Sequence, residues 1–87
     1  MHLAPEEFAN FVGRYVREET TVLVFRDHEH FFIKVGHNDR VEIFPLSDHE
    51  FLLAGSRETL SFERGAHGEV THFIRHSAAP QIFRRVH

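Results

Sequence analysis

The side chains that could act as nucleophiles in this sequence are hydroxyls, because the chain contains no cysteine. No serine lies in a Gly-x-Ser-x-Gly elbow or a Ser-x-x-Lys pattern, two motifs that mark a catalytic serine in several hydrolase families. The serines are Ser47, Ser56, Ser61 and Ser77. The acidic residues are spread over predicted turns and strand exteriors, so no carboxylate pair is expected to converge in a cleft. The sequence therefore predicts a protein that is not an enzyme, with no catalytic residues and no cofactor.

Nine histidines supply the candidates for a metal site. His28 and His30 bracket Glu29, and His72 and His76 share one face of a predicted strand. Neutral imidazole is a common zinc ligand. However, the first pair falls in a predicted turn, and strand residues four apart are separated by about 13 Å, so partners from other strands would be needed. We assign no metal ligand: these four are weak candidates, beside adventitious metal capture and ordinary surface roles.

The chain has 87 residues, which suits a single domain over residues 1–87. Its composition argues against two classes of partner. The formal net charge is −3 and Lys34 is the one lysine, whereas nucleic-acid binding requires a clustered positive excess. No apolar run is long enough to cross a membrane, and no signal peptide opens the chain. We expect a soluble protein that binds neither nucleic acid nor membrane, in a compartment that the sequence does not fix.

The pattern of apolar residues predicts the elements that must position these side chains. Pro5 and the two glutamates after it begin a short helix over residues 5–12, which Gly13 ends. From Arg14 onward the period changes to two, with turn residues about every ten positions. The predicted strands lie near residues 14–18, 21–27, 30–35, 40–46, 50–54, 58–63, 70–76 and 81–86. This cadence predicts an all-β fold: a small antiparallel up-and-down barrel of about eight strands with a short N-terminal helix.

The same alternation assigns faces to the strands. The inward positions are Val22, Val24, Phe31, Ile33, Val35, Val41, Ile43, Phe51, Leu53, Leu60 and Phe62. Four large apolar residues then point outward on neighbouring strands: Leu23, Phe25, Phe32 and Leu52. Either the helix or a β-bulge covers them, or they form an exposed apolar stripe for docking or self-association. They are the candidate partner-binding residues.

The ends of the predicted barrel leave two further alternatives open. Short strands with Phe, Ile, Leu and Val inside favour a filled interior, although a shallow pocket lined by Phe and Arg at one mouth would bind a small hydrophobic ligand. The last strands carry Arg75, Arg84 and Arg85, with Arg64 nearby in the chain. These arginines are expected to pair across strands with Glu63, Glu69 or Glu42, or else to form a docking patch for an acidic surface.

An ordered set of short segments also carries a family resemblance. The segments are Phe11-Val12-Gly13-Arg14-Tyr15, Phe44-Pro45-Leu46-Ser47 with Glu50-Phe51, Leu60-Ser61-Phe62-Glu63-Arg64, Gly68-Glu69-Val70-Thr71-His72-Phe73, and the ending with His76 and Arg84-Arg85-Val86. Over roughly residues 8–86 the chain resembles the lipocalin-like domain of unknown function found C-terminal to serine β-lactamase-like and penicillin-binding-protein-like hydrolases. One departure follows His76, where Ser77-Ala78-Ala79 replaces the family's usual Gln-Asn-Gly.

The resemblance implies a calycin-like barrel that serves as a non-enzymatic accessory or interaction module. Any catalysis then belongs to a neighbouring hydrolase domain, and the family offers no settled catalytic residues to transfer. The expected partners are that hydrolase catalytic domain in cis or a second copy of the chain, as a homodimer. The resemblance allows a periplasmic or a cytoplasmic location.

Overall fold

The computed structural model describes residues 3–86 and confirms the predicted fold class. One short helix, α1 (Pro5–Phe8), precedes eight strands in a closed antiparallel barrel. The strands are β1 (Gly13–Arg17), β2 (Thr20–Asp27), β3 (His30–Val35), β4 (Val41–Pro45), β5 (Glu50–Leu53), β6 (Thr59–Arg64), β7 (Val70–His76) and β8 (Gln81–Val86). Each strand pairs with the next in the chain, and β1 closes the barrel against β8 through Tyr15 and Arg85. Within residues 3–86 no helix is long and apolar enough to span a membrane.

The N-terminal helix is shorter than the sequence predicts. It ends at Phe8 instead of reaching Val12. Backbone hydrogen bonds between residues three apart then form a turn, in which the amide of Phe11 donates to the carbonyl of Phe8 at 2.8 Å. The turn lets the chain enter β1 at Gly13 while both phenylalanines remain buried. The ring of Phe8 stacks on that of Phe31 with centroids 4.1 Å apart. The helix and its turn therefore plug one end of the barrel.

Aromatic side chains fill the barrel. Seven of the ten phenylalanines are buried there, with the single tyrosine, Tyr15, among them. The buried phenylalanines are Phe8, Phe11, Phe31, Phe51, Phe62, Phe73 and Phe83. Of the predicted inward positions, Val35 and Val41 are only partly buried and pack at the edge of this core, whereas the others are buried. Because the rings contact one another from end to end, the functional surfaces must lie on the outside of the barrel or at its mouths.

Candidate functional site

The outer surface of β2 to β5 carries a run of large apolar side chains that the filled interior does not use. We call the five residues Leu23, Phe25, Phe32, Phe44 and Leu52 the outer apolar face. Phe25 and Phe32 are direct cross-strand partners, and their rings stack with centroids 5.6 Å apart. On the next pair of strands Phe44 lies opposite Leu52. Leu23 and Phe44 are each 43% exposed, whereas Phe25, Phe32 and Leu52 are partly buried.

Four members of this face were predicted from strand alternation, and one was missed. Phe44 has the same outward parity in β4 as Glu42, so the alternation that placed Ile43 inside could have identified it. With Phe44 added, the face spans four adjacent strands.

Neither of the expected covers lies over this face. The helix plugs the barrel end, and the register shift between β6 and β7 falls at Glu63 and Arg64, on other strands. The guanidinium of Arg40 lies 4.3 Å from the centroid of the Phe32 ring, and its Nη1 donates to Asp27 Oδ2 at 3.2 Å. Arg40 therefore shields Phe32 in part, while Leu23 and Phe44 remain exposed.

Charges are distributed unevenly along this face. In the register of the strands, Leu23 lies between Arg14 on β1 and Lys34 on β3, which makes one end basic. Toward the other end lie Asp27 and Glu29 at the β2–β3 hairpin, and Glu42, which is opposite Phe32 in the register and contacts His30. A hydrogen bond from His28 to Asp27, followed by that from Arg40, holds the pKa of the Asp27 carboxyl below its usual value. The Asp27 carboxylate therefore stays ionised to a lower pH than an isolated aspartate would.

The four histidines proposed as weak metal ligands each have a different hydrogen-bond partner. His28 contacts Asp27 and His30 contacts Glu42, each through Nδ1 at 2.7 Å. His72 and His76 lie on the outer side of β7, as their shared parity predicts. The first contacts Thr71 Oγ1 and the second contacts Ser61 Oγ, each at 2.9 Å. In the part of the chain that the structure describes, no group of three or more histidine and acidic side chains could hold a metal ion.

The contact between Ser61 and His76 has the distance expected of a nucleophile and its base, since Oγ and Nε2 are 2.9 Å apart. Sequence reasoning missed the contact because it joins residues 15 positions apart across β6 and β7. Ser61 is only 8% exposed and lies on the outer wall between strands. Among residues 3–86 no carboxylate hydrogen-bonds to His76 to orient its ring. Within residues 3–86 the pair has no third member of a triad, and its hydrogen bond links β6 to β7.

A cleft of about 400 Å³ lies at the plugged mouth of the barrel. Its lining is Leu3, Glu7, Asn10, Phe11, Asp48, His49, Phe62, Glu63 and Arg64. The predicted phenylalanines and arginine are present, and the Arg64 guanidinium lies 5.5 Å from the Phe11 ring centroid. Three carboxylates line the same cleft, however, so it is more polar than the hydrophobic mouth that the sequence predicts.

The turn between β4 and β5 contributes a hydrogen-bonded pair to this cleft. His49 Nδ1 and Asp48 Oδ1 are 2.7 Å apart. The hydrogen bond that His49 donates to the Asp48 carboxylate raises the pKa of the His49 imidazole above its ordinary value, and the same bond lowers the pKa of the Asp48 carboxyl. This stretch of the cleft therefore holds a charge pair over part of the acidic pH range.

The C-terminal arginines do not form the predicted pairs or a continuous patch. Arg75 donates to Glu58, with its Nε 2.9 Å from Oε1, instead of to Glu63, Glu69 or Glu42. Arg85 turns toward the plugged end and donates to the backbone carbonyls of Val12, at 2.7 Å, and Asn10, at 3.2 Å. Arg84 is exposed on the outer side of β8. These arginines face different directions, which leaves no shared docking surface.

Comparison with protein-family models and with curated proteins finds no match for this chain. A role therefore has to be argued from the surfaces themselves. Within residues 3–86, the outer apolar face and the mouth cleft each combine apolar side chains with nearby charges.

Proposed function

We propose that this chain is a non-catalytic interaction module that associates with a second copy of itself through the outer apolar face. The supporting observation is that large side chains, two of them 43% exposed, continue across four strands outside a barrel whose interior is already full. A group of large apolar side chains on the outside of a small domain is typical of an interface. These side chains do not pack in the interior, so their apolar surface would be buried only when two copies associate.

The charges favour a second copy as the partner. A two-fold axis near the stacked Phe25 and Phe32 rings, perpendicular to the strands, would turn the basic end of one copy, with Arg14 and Lys34, toward the acidic end of the other. Such an isologous interface is self-complementary, because each half supplies what the other lacks. The apolar centre would then be flanked by opposite charges on both sides.

The family resemblance supports an accessory role for such a module. A lipocalin-like domain beside a serine hydrolase would leave the chemistry to its neighbour, consistent with the absence of serine motifs in this sequence. A hydrolase catalytic domain in cis is then the alternative occupant of the outer apolar face. A chain that remains monomeric would favour that occupant over a second copy.

Light scattering coupled to size-exclusion chromatography tests the proposal. We expect the unmodified chain to run with the mass of a dimer, and the double variant Phe25→Ser with Phe32→Ser to run as a monomer with an unchanged circular dichroism spectrum. Ile82→Ser is the matched control, since Ile82 is 51% exposed but lies on β8, across the barrel from β3 and β4. A monomeric parent, or equal masses for parent and double variant, would overturn the proposal.

The mouth cleft supports a second candidate function, binding of a small ligand. Its volume of about 400 Å³ falls in the range of small-molecule sites. The sequence favours a hydrophobic ligand, whereas Glu7 and Glu63 beside the Phe11 ring fit an apolar molecule that carries a positive charge. Titration with phenethylamine, with toluene as the neutral control, should shift the NMR signals of Glu63 and His49 only with the amine. Equal shifts with both probes, or none with either, would exclude this ligand class.

A further inference from the structure

We propose that acid dissociates the dimer, with His28 and His30 as the pH-sensing residues; this inference rests on the proposed function. Both histidines lie at the acidic end of the outer apolar face, on the hairpin that joins β2 and β3. Each contacts a carboxylate through Nδ1 at 2.7 Å, His28 that of Asp27 and His30 that of Glu42. A histidine becomes a cation as the pH falls through the range of about 8 to 5.

Protonation would remove the charge difference on which the two-fold arrangement depends. At neutral pH the acidic end carries Asp27, Glu29 and Glu42, against the single cation of Arg40. Two imidazolium groups would cancel that excess, because each lies directly beside a carboxylate. The end that meets Arg14 and Lys34 of the second copy would then offer no net attraction.

The other charges around the two histidines do not restore this balance. From β4 the facing group is Glu42, and from the segment before β4 it is Arg40, whose guanidinium contacts Asp27. Within the hairpin the facing groups are Asp27 and Glu29. Arg26 has the opposite parity to Phe25 on β2 and does not belong to the outer face. Every cation that joins this end therefore weakens its contact with a basic partner surface.

The hairpin geometry fixes where the sensing residues lie. Asp27 pairs with His30 at the end of the β2–β3 ladder, which leaves His28 and Glu29 as the two loop residues. His28 adopts a left-handed backbone conformation with φ 58°. The loop therefore places His28, and the start of β3 places His30, at the hairpin end of the strands that carry Phe25 and Phe32. Both imidazoles are exposed, so added salt should weaken the effect of a charge placed there.

Sedimentation equilibrium of the full chain at about pH 7.5 and about pH 5.5 tests the inference. We expect the dissociation constant of the unmodified dimer to rise about tenfold or more at the lower pH. The variant His28→Asn with His30→Gln should lose that pH dependence, since asparagine tolerates the left-handed conformation and glutamine can still hydrogen-bond to Glu42. His72→Gln with His76→Gln is the matched control, which removes two histidines from β7 and should behave as the unmodified chain.

The outcomes separate this inference from the proposed function. A monomer at both pH values would overturn both. A dimer of equal strength at both pH values would overturn the acid response and leave self-association intact. Full pH dependence in the His28 and His30 variant would assign the response to other residues and would also overturn the inference. Circular dichroism at the lower pH checks that the fold is retained.

Discussion

Tyr15 shows at the scale of one residue how the barrel handles a polar group. Its ring packs against Phe62 and Phe73, and its hydroxyl donates to the carbonyl of Phe11 at 2.8 Å. The hydrogen bond offsets the free energy of desolvating the hydroxyl and links the N-terminal plug to β1. Burial raises the pKa of the Tyr15 phenol to about 12, against a smaller opposing effect of the Arg85 charge.

The raised pKa gives a direct spectroscopic prediction. Tyr15 is the one tyrosine and the chain has no tryptophan, so phenolate absorbance reports this side chain alone. We expect a titration midpoint about two units above that of the chain in denaturant. The neutral phenol stabilises the folded state at and below pH 10, and this contribution of about 2–3 kcal/mol is lost as the pH rises toward 12. A midpoint near the ordinary tyrosine value in the folded protein would mean that the plug leaves this ring open to water.

At the scale of the elements, Arg85 joins β8 to the N-terminal plug. Its guanidinium donates to the carbonyls of Asn10 and Val12, more than 70 positions earlier in the chain. We expect Arg85→Met to lower the free energy of unfolding by about 2 kcal/mol, because it leaves these carbonyls without their donor. It should also raise the pKa of Tyr15 further, since the Arg85 charge lowers it.

Arg84→Met is the matched control for that change. Arg84 is the neighbouring residue but points outward from β8, so its replacement should alter stability by less than about 0.5 kcal/mol. Urea unfolding followed by circular dichroism measures both variants. Equal losses for the two would contradict the assignment of Arg85 as the residue that holds the plug.

The elements themselves could be predicted from the sequence more fully than the contacts between them. Strand alternation and turn residues place all eight strands within one or two positions, because period two is a property of each segment alone. The helix was predicted four residues too long, since the apolar spacing at Phe8 and Phe11 is also satisfied by a tight turn. The helix ends early because the chain has to turn into β1, and local helix propensity carries no information about that path.

Pairings between distant strands could not be predicted, and these determine the candidate sites. Arg75 reaches Glu58, and Ser61 reaches His76, through a β6–β7 register that includes an irregularity at Glu63 and Arg64. The residue types in β6 and β7 predict neither this register nor its irregularity. The outer positions of Leu23, Phe25 and Phe32 were predictable, because face depends only on parity within one strand.

For the whole molecule, a closed barrel determines which surfaces are available for association. Closure against β8 removes the open edges through which sheet proteins often associate, so contact must use faces or mouths. The aromatic core occupies the interior, and the outer apolar face continues over half of the wall. Self-association through that face would bury the side chains that the monomer leaves in water.

Amide NMR spectra of the labelled chain over a dilution series at neutral pH test the central claim most directly. If two copies meet through β2 to β5, shifts that depend on concentration should cluster at Leu23, Phe25, Phe32, Lys34 and Phe44. Signals from β7 and β8, including Ile82, should stay fixed. Spectra that do not change with concentration, or changes confined to β7, β8 or the mouth cleft, would contradict association through the outer apolar face.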